Sequence, residues 1–173
     1  MDLRGVSIAI ACALVGPGCD FLAGLDDFAQ RLPIYFNSFE SPQDTSGWQG
    51  FGARELRNDA PPGGGNQSLF VSGGCIVPHA LVEFRSPSQE TCLRLKCWGK
   101  KLLGGGEVSL FIKGALPGKG ISLSIGDSLW NSYQSADSLI CPANQTLQLE
   151  MMSGGIIAGA MLVDMVEVVP IRQ

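Results

Sequence analysis

The chain carries a single histidine, His79, directly after Pro78. A Ser-His-Asp relay would have to use it, yet no Gly-x-Ser-x-Gly nominates a nucleophile and no His-Glu-x-x-His marks a zinc site. His79 therefore reads as a loop or capping residue. A glycoside hydrolase needs two carboxylates about 5–10 Å apart across a cleft, and no motif marks such a pair. Cys92 and Cys97 do not have the Cys-x-x-Cys spacing of redox or zinc sites. The aromatics remain. Trp98, Trp130 and Tyr133 are residue types whose ring faces pack against the C–H faces of sugars while neighbouring polar groups take the hydroxyls. The sequence thus points to binding before catalysis.

These side chains need a scaffold. In 173 residues, 45% hydrophobic and 16% charged, there is material for one globular domain and no case for disorder. Twenty-three Gly and 10 Pro argue against a helical bundle. Sixteen Asp+Glu against 12 Lys+Arg give a net charge of −4 without a basic run, so nucleic acid is not an expected partner.

The first residues read as an address. Positions 6–15 are apolar apart from Ser7, too short to span a bilayer but suited to a secretory leader. Gly16-Pro17-Gly18 before Cys19 resembles the lipobox of bacterial lipoproteins, which implies a lipid on Cys19 and a membrane-anchored protein of the bacterial cell envelope. Cys12 is a second candidate that leaves too short an apolar run. The expected organisation is a lipoprotein-type signal peptide over 1–18, a lipid-anchored tether or short helix over 19–33, and a domain over 34–171. Phe21, Leu25, Phe28 and Leu32 carry the helical spacing, and Pro33 ends it. Export implies an oxidising compartment. Cys75, Cys92, Cys97 and Cys141 then form an even set compatible with two disulfides. Cys92 and Cys97 fall on opposite faces of one strand, so each is expected to join Cys75 or Cys141, with the pairing open.

Beyond Pro33 the signals are short and β-like. Strands are predicted near 34–40, 68–72, 80–84, 92–98, 107–112, 121–125, 138–141, 146–151 and 158–169, with Gly/Pro/Asn breaks between them. This pattern fits an antiparallel sandwich or barrel. Within 92–98, Leu93, Leu95 and Cys97 share the core parity, which turns Arg94, Lys96 and Trp98 outward. Within 146–152, Leu147, Leu149 and Met151 point in and Gln148 and Glu150 point out. If these two strands share a sheet, Trp98, Arg94, Gln148 and Glu150 make one polar surface with an aromatic platform. Trp130 and Tyr133 sit in a loop or strand edge over 129–136. The apolar run 156–169 reads as a turn feeding a fully buried strand rather than a membrane helix.

Asn37-Ser38-Phe39-Glu40, Gly47-Trp48, Gly65-Asn66-Gln67-Ser68-Leu69-Phe70-Val71, the Leu93-x-Leu-x-Cys-Trp98-Gly-Lys run and Leu162-Val163-Asp164-Met165-Val166-Glu167-Val168 occur in this order. Together they resemble carbohydrate-binding modules of the galactose-binding-like jelly-roll type. The resemblance implies an all-β antiparallel sandwich. It also implies a structural Ca²⁺ on Glu40 and Asp164, with carbonyls near Asn66 and Ser68, although Met165 stands where the family has a second aspartate. Trp48 matches a position that is usually structural. The fold hosts many functions. The expectation is an exported, non-catalytic module that binds a carbohydrate or a cell-surface protein. The competing readings are a structural envelope lipoprotein with no small-molecule ligand and, third, a glycan-acting hydrolase.

Overall fold

The computed structural model describes residues 32–171 except 52, 75–77, 116–118 and 155–156. The expected leader, all but the last two residues of the expected tether, Cys19 and likewise Cys75 lie outside the described residues. Eleven strands are described: β1 Tyr35–Asn37, β2 Ala53–Arg57, β3 Ser68–Gly73, β4 Ala80–Arg85, β5 Thr91–Leu103, β6 Gly106–Ile112, β7 Gly120–Ile125, β8 Asn131–Gln134, β9 Leu139–Cys141, β10 Thr146–Ser153 and β11 Gly159–Ile171. A 3-10 turn, Pro42–Thr45, follows β1. The strands form two antiparallel sheets. The seven-stranded sheet runs β2-β3-β11-β5-β8, with β1 on β11 and β9 on β5, and the four-stranded sheet runs β4-β10-β6-β7.

Alternation in the sequence becomes alternation in burial. Along β10, Leu147, Leu149, Met151 and Ser153 are buried while the residues between them are half-buried. Opposite them, Leu93, Leu95 and Cys97 of β5 and Val163, Val166 and Val168 of β11 complete the core between the sheets. β11 is nearly continuously apolar because it lies at the centre of its sheet, between β3 and β5. One side of it faces the core, and the other is covered by a loop described below. β2 and β8, outside the predicted strand set, are edges of the larger sheet. Arg54, Glu55 and Arg57 give β2 a charged edge without an apolar period, and such edges resist pairing with other chains.

The disulfide expectation is corrected. Cys92, Cys97 and Cys141 are buried free thiols. Cys141 lies opposite Thr91 and Ile140 opposite Cys92 on neighbouring strands, so the Cys92 and Cys141 side chains leave the sheet on opposite faces. Cys97 shares the face of Cys141 but stands six positions along β5 from Thr91, roughly 20 Å at about 3.3 Å per residue. A disulfide tolerates a Cα separation of no more than about 7 Å. Burial pushes the Cys97 thiol up to about 12.

Candidate functional site

The four-stranded sheet leaves one face open to solvent. Strand pairing sets its side chains in rows. Glu83, Gln148, Phe111 and Gly120 lie across from one another, and Leu81, Glu150, Ser109 and Ser122 form the next row. Phe111 reaches this face because it shares the parity of Glu107 and Ser109, opposite to buried Val108 and Leu110. Its ring lies against Gly120. A Cβ there would come within 2.6 Å of Phe111 Cε1 and 2.7 Å of the Leu110 carbonyl oxygen, so only glycine lets the ring settle on the sheet. β7 adds only the small side chains Ser122 and Ser124, both exposed.

Beside the ring is an open depression of about 250 Å³, lined by Phe111, Lys113, Lys119, Gln148 and Glu150 among others. That is smaller than the roughly 300–1,000 Å³ of pockets that engulf small molecules, and suits a ligand laid against an open surface. The polar groups around the ring are already oriented. Gln148 Nε2 donates to Glu150 Oε1. Lys113 Nζ donates to Glu83 at 2.8 Å and the Ser109 hydroxyl to Glu107 at 2.6 Å. The result is an apolar ring bordered by donors and acceptors of both signs.

The outer face of the larger sheet is built differently. Trp98 lies across from Asp164 of β11 on one side and Ser132 of β8 on the other. The loop 58–67 between β2 and β3 folds onto this face. Asp164 is fully buried there, and Ser68 and Pro61 are buried beside it. At the Asp164 position β11 breaks its register with β5, and Met165 takes a positive φ of 47°. Such a bulge re-aims a side chain at a modest conformational cost. Phe39, just before Glu40, also has a positive φ, of 51°. Strain of this kind flanks both carboxylates.

The carboxylates meet at the turn Gly64-Gly65. Asn66 N–H donates to Glu40 Oε2 at 2.9 Å. Met165 N–H donates to Asp164 Oδ1 at 2.7 Å, while Asp164 Oδ2 is buried without a partner. A Cβ on Gly64 would stand 2.5 Å from Asp164 Oδ2, and one on Gly65 would run into the Glu40 carboxyl group. The main chain therefore passes directly over both acids. Burial pushes the Asp164 carboxyl up to about 7; the Met165 N–H works against this and the Glu40 charge adds to it. A buried carboxylate oxygen with no donor, beside a second acid and under a turn of bare main chain, fits a hard cation that takes oxygen ligands. Among the described residues no three His, Cys, Asp or Glu side chains cluster around a metal-sized site. A cation here would need main-chain oxygens to complete its shell.

The six residues nominated as ligand contacts are not brought together. Gln148 and Glu150 lie on β10, which pairs with β4 and β6, so they stand on the opposite side of the sandwich from Trp98 and Arg94. Parity fixes which face a side chain takes but not which sheet its strand joins. Tyr133 lies opposite core-facing Cys97 and packs on the core. Its hydroxyl donates to Asp127 Oδ2 at 2.7 Å and accepts the Asp127 N–H at 3.2 Å. Trp130 spends its indole N–H on Asp59, at 2.8 Å. Trp98 and Arg94 are half-buried. His79 is buried, with Nδ1 accepting the Ser153 N–H at 3.0 Å. Phe111, Lys113, Lys119 and Asp59 were missed. The parity of 107–112 marks Phe111; the lysines and Asp59 sit in loops and carry no local signal.

No protein-family model matches the chain, and no curated protein matches it. Solved structures do. The CBM22-1 xylan-binding domain from Paenibacillus barcinonensis Xyn10C has a TM-score of 0.57 at 15% identity, over 83% of this chain and 97% of that one. The CBM22-1–GH10 modules of Clostridium thermocellum xylanase 10B, complexed with xylohexaose, give 0.55 at 13% identity over 81% of this chain and 29% of that one. The enzymatically active domain of Bacteriophage CBA120 tailspike protein 4 gives 0.58 at 17% identity over 78% of this chain, which spans only 20% of that chain. At such identities the likeness concerns the fold, an antiparallel β-sandwich of the jelly-roll type seen in carbohydrate-binding modules.

Proposed function

We propose that the protein is a non-catalytic glycan-binding module, and that the glycan lies on the open face of the four-stranded sheet. The observation that carries this reading is Phe111, whose ring packs against Gly120 on the open face, bordered by Gln148, Glu150 and Lys113. A sugar ring stacks its C–H face on the phenyl ring, and its hydroxyls meet the amide, carboxylate and ammonium groups. The two structural neighbours named above that contain CBM22 modules are described as xylan-binding or as complexed with xylohexaose, so a xylo-oligosaccharide is the first ligand to test. Glu83, Glu107 and Glu150 each already hold a partner on this face, an arrangement suited to recognition rather than to a free acid and base. Calorimetric titration with xylohexaose and a panel of other oligosaccharides tests the proposal. Phe111→Ala should weaken binding several-fold, and a panel without any binding to the folded wild type would reject it.

Two further parts complete the proposal. Glu40 and Asp164 hold a structural Ca²⁺, supported by the unpartnered Asp164 Oδ2 under the Gly64-Gly65 turn. Cys19 carries a lipid that anchors the protein to the cell envelope, so Cys19→Ala should move it from the membrane to the soluble fraction.

One observation favours the competing reading of a protein-bound envelope lipoprotein. Phe51, Leu102, Leu103, Leu129 and Ile157 are large, exposed and apolar. All five sit on loops or strand ends at the same end of the sandwich, where β5 leaves and β11 enters. Absence of glycan binding together with capture of an envelope protein through this end would move the assignment there.

A further inference from the structure

The loop 58–67 is tied to two other elements by one side chain. Asp59 Oδ1 accepts the Trp130 indole N–H at 2.8 Å, from the connection between β7 and β8. Asp59 Oδ2 accepts Lys100 Nζ at 2.7 Å, from β5. The Asp59 carbonyl oxygen accepts the Ser68 hydroxyl at 2.5 Å, at the start of β3. Past this anchor the chain turns, with Gly64 N–H donating to the Pro61 carbonyl at 2.9 Å, and lays Gly64 against Asp164 and Gly65 against Glu40.

We infer that Asp59 is a positioning residue for the cation site, and that through Trp130 and Lys100 it sets the protein's affinity for Ca²⁺. The inference rests on the calcium reading above. The physical reason lies in the loop's composition. Pro61-Pro62 is followed by three glycines, Gly63 to Gly65, and glycine loses more backbone freedom on ordering than any other residue. Main-chain oxygens on such a turn are ligands only where something else holds the turn still. Asp164 does not do so from below, since its Oδ2 makes no hydrogen bond, and Glu40 holds only the far end of the turn, through the Asn66 and Gln67 N–H groups. Asp59 does, by joining the loop to strand β5, whose Trp98 stands across from Asp164. Trp130 thereby gains a role on this face unrelated to sugar stacking. Burial alone would raise the Asp59 carboxyl, but the hydrogen bonds from Lys100 and Trp130 and the Lys100 charge outweigh it and hold the group below its usual range.

The test is calorimetric titration of the full chain with calcium chloride, with unfolding midpoints measured in EDTA. Asp59→Ala and Trp130→Phe should each weaken Ca²⁺ binding by about tenfold or more, the scale on which partners outside a metal's direct ligands act. Asp59→Asn, which keeps an acceptor for the indole N–H but loses the ion pair with Lys100, should fall between them and wild type. Trp130→Phe keeps an aromatic ring at a half-buried position and removes the N–H, so its midpoint in EDTA should stay near wild type. If Asp59→Ala does not fold, Trp130→Phe carries the test. Wild-type affinity in Trp130→Phe and Asp59→Asn would overturn the positioning role while leaving the calcium site standing. So would midpoints that drop equally in EDTA and in calcium with the affinity unchanged. A wild-type chain that neither binds Ca²⁺ nor gains stability from it would overturn the calcium reading and this inference together.

Discussion

Removing calcium should lower the melting temperature of the wild-type protein, and Asp164→Asn should erase that difference without lowering the metal-free value. Asp164 is fully buried, Oδ1 is occupied by the Met165 N–H and Oδ2 has no partner. At pH 8, above the value of about 7 to which burial has raised the group, the metal-free protein holds an ionised carboxylate beside Glu40 with nothing to neutralise it. A cation present at a hundredfold excess over its dissociation constant stabilises the fold by about 2.7 kcal/mol. At about 2–4 °C per kcal/mol for a domain of this size, the melting temperature in calcium should exceed that in EDTA by roughly 5–10 °C. In Asp164→Asn the amide oxygen can still accept the Met165 N–H. The amide nitrogen replaces an oxygen that repelled Glu40 with a donor that can meet it, so the variant in EDTA should melt at or above the wild type in EDTA. The assay is scanning calorimetry of both proteins in both buffers. Coincident wild-type melts would refute the argument, and so would an Asp164→Asn protein that still gains several degrees from calcium.

On the open face, Phe111→Ala should weaken glycan binding by about three- to tenfold, corresponding to about 0.5–1.5 kcal/mol for a lost stacking contact, with the melting temperature nearly unchanged; affinity electrophoresis and calorimetry read both. Gly120→Ala keeps the phenyl ring but lifts it off the sheet, so it should cost binding as well, and unchanged binding would show that the seat of the ring is unimportant. Trp98→Ala should do the reverse, lowering the melting temperature while leaving glycan affinity intact, because Trp98 is half-buried across from Asp164 on the far face. Cys92, Cys97 and Cys141 should all take up an alkylating reagent in denaturant without reductant. In the folded protein at pH 8, Cys97 should react very slowly, since it is buried with its thiol raised to about 12; mass spectrometry of the peptides separates the sites.

The sequence carried the parts of this molecule that depend on local period. The alternation in 92–98 and 146–152 predicts which side chains enter the core, and β5 and β10 bury those residues. The apolar run ending at Val169 marks a central strand because both of its faces are covered. What period cannot supply is the partner of a strand, and the ligand surface proposed from sequence depended on that partner. Gln148 and Glu150 point outward as expected, but from the other sheet. Tyr133 points inward because it is one residue out of phase with Ser132 and Gln134 on the edge strand β8. Glu40 and Asp164 are far apart in sequence, and only the ordered motifs around them, not any periodicity, could place them together. Asp59 shows the limit most plainly. The two partners of its carboxylate lie 41 and 71 residues further along the chain. Nothing in the Asn-Asp-Ala-Pro-Pro sequence around Asp59 announces an anchor, because the anchor exists only after β5 and β8 have paired. The same separation divides the work between the faces. On the side with the aromatic residues most visible in the sequence, Trp130 is occupied in holding a loop and Trp98 is half-buried across from Asp164. The open side, with its less conspicuous Phe111, is where the proposed glycan would lie.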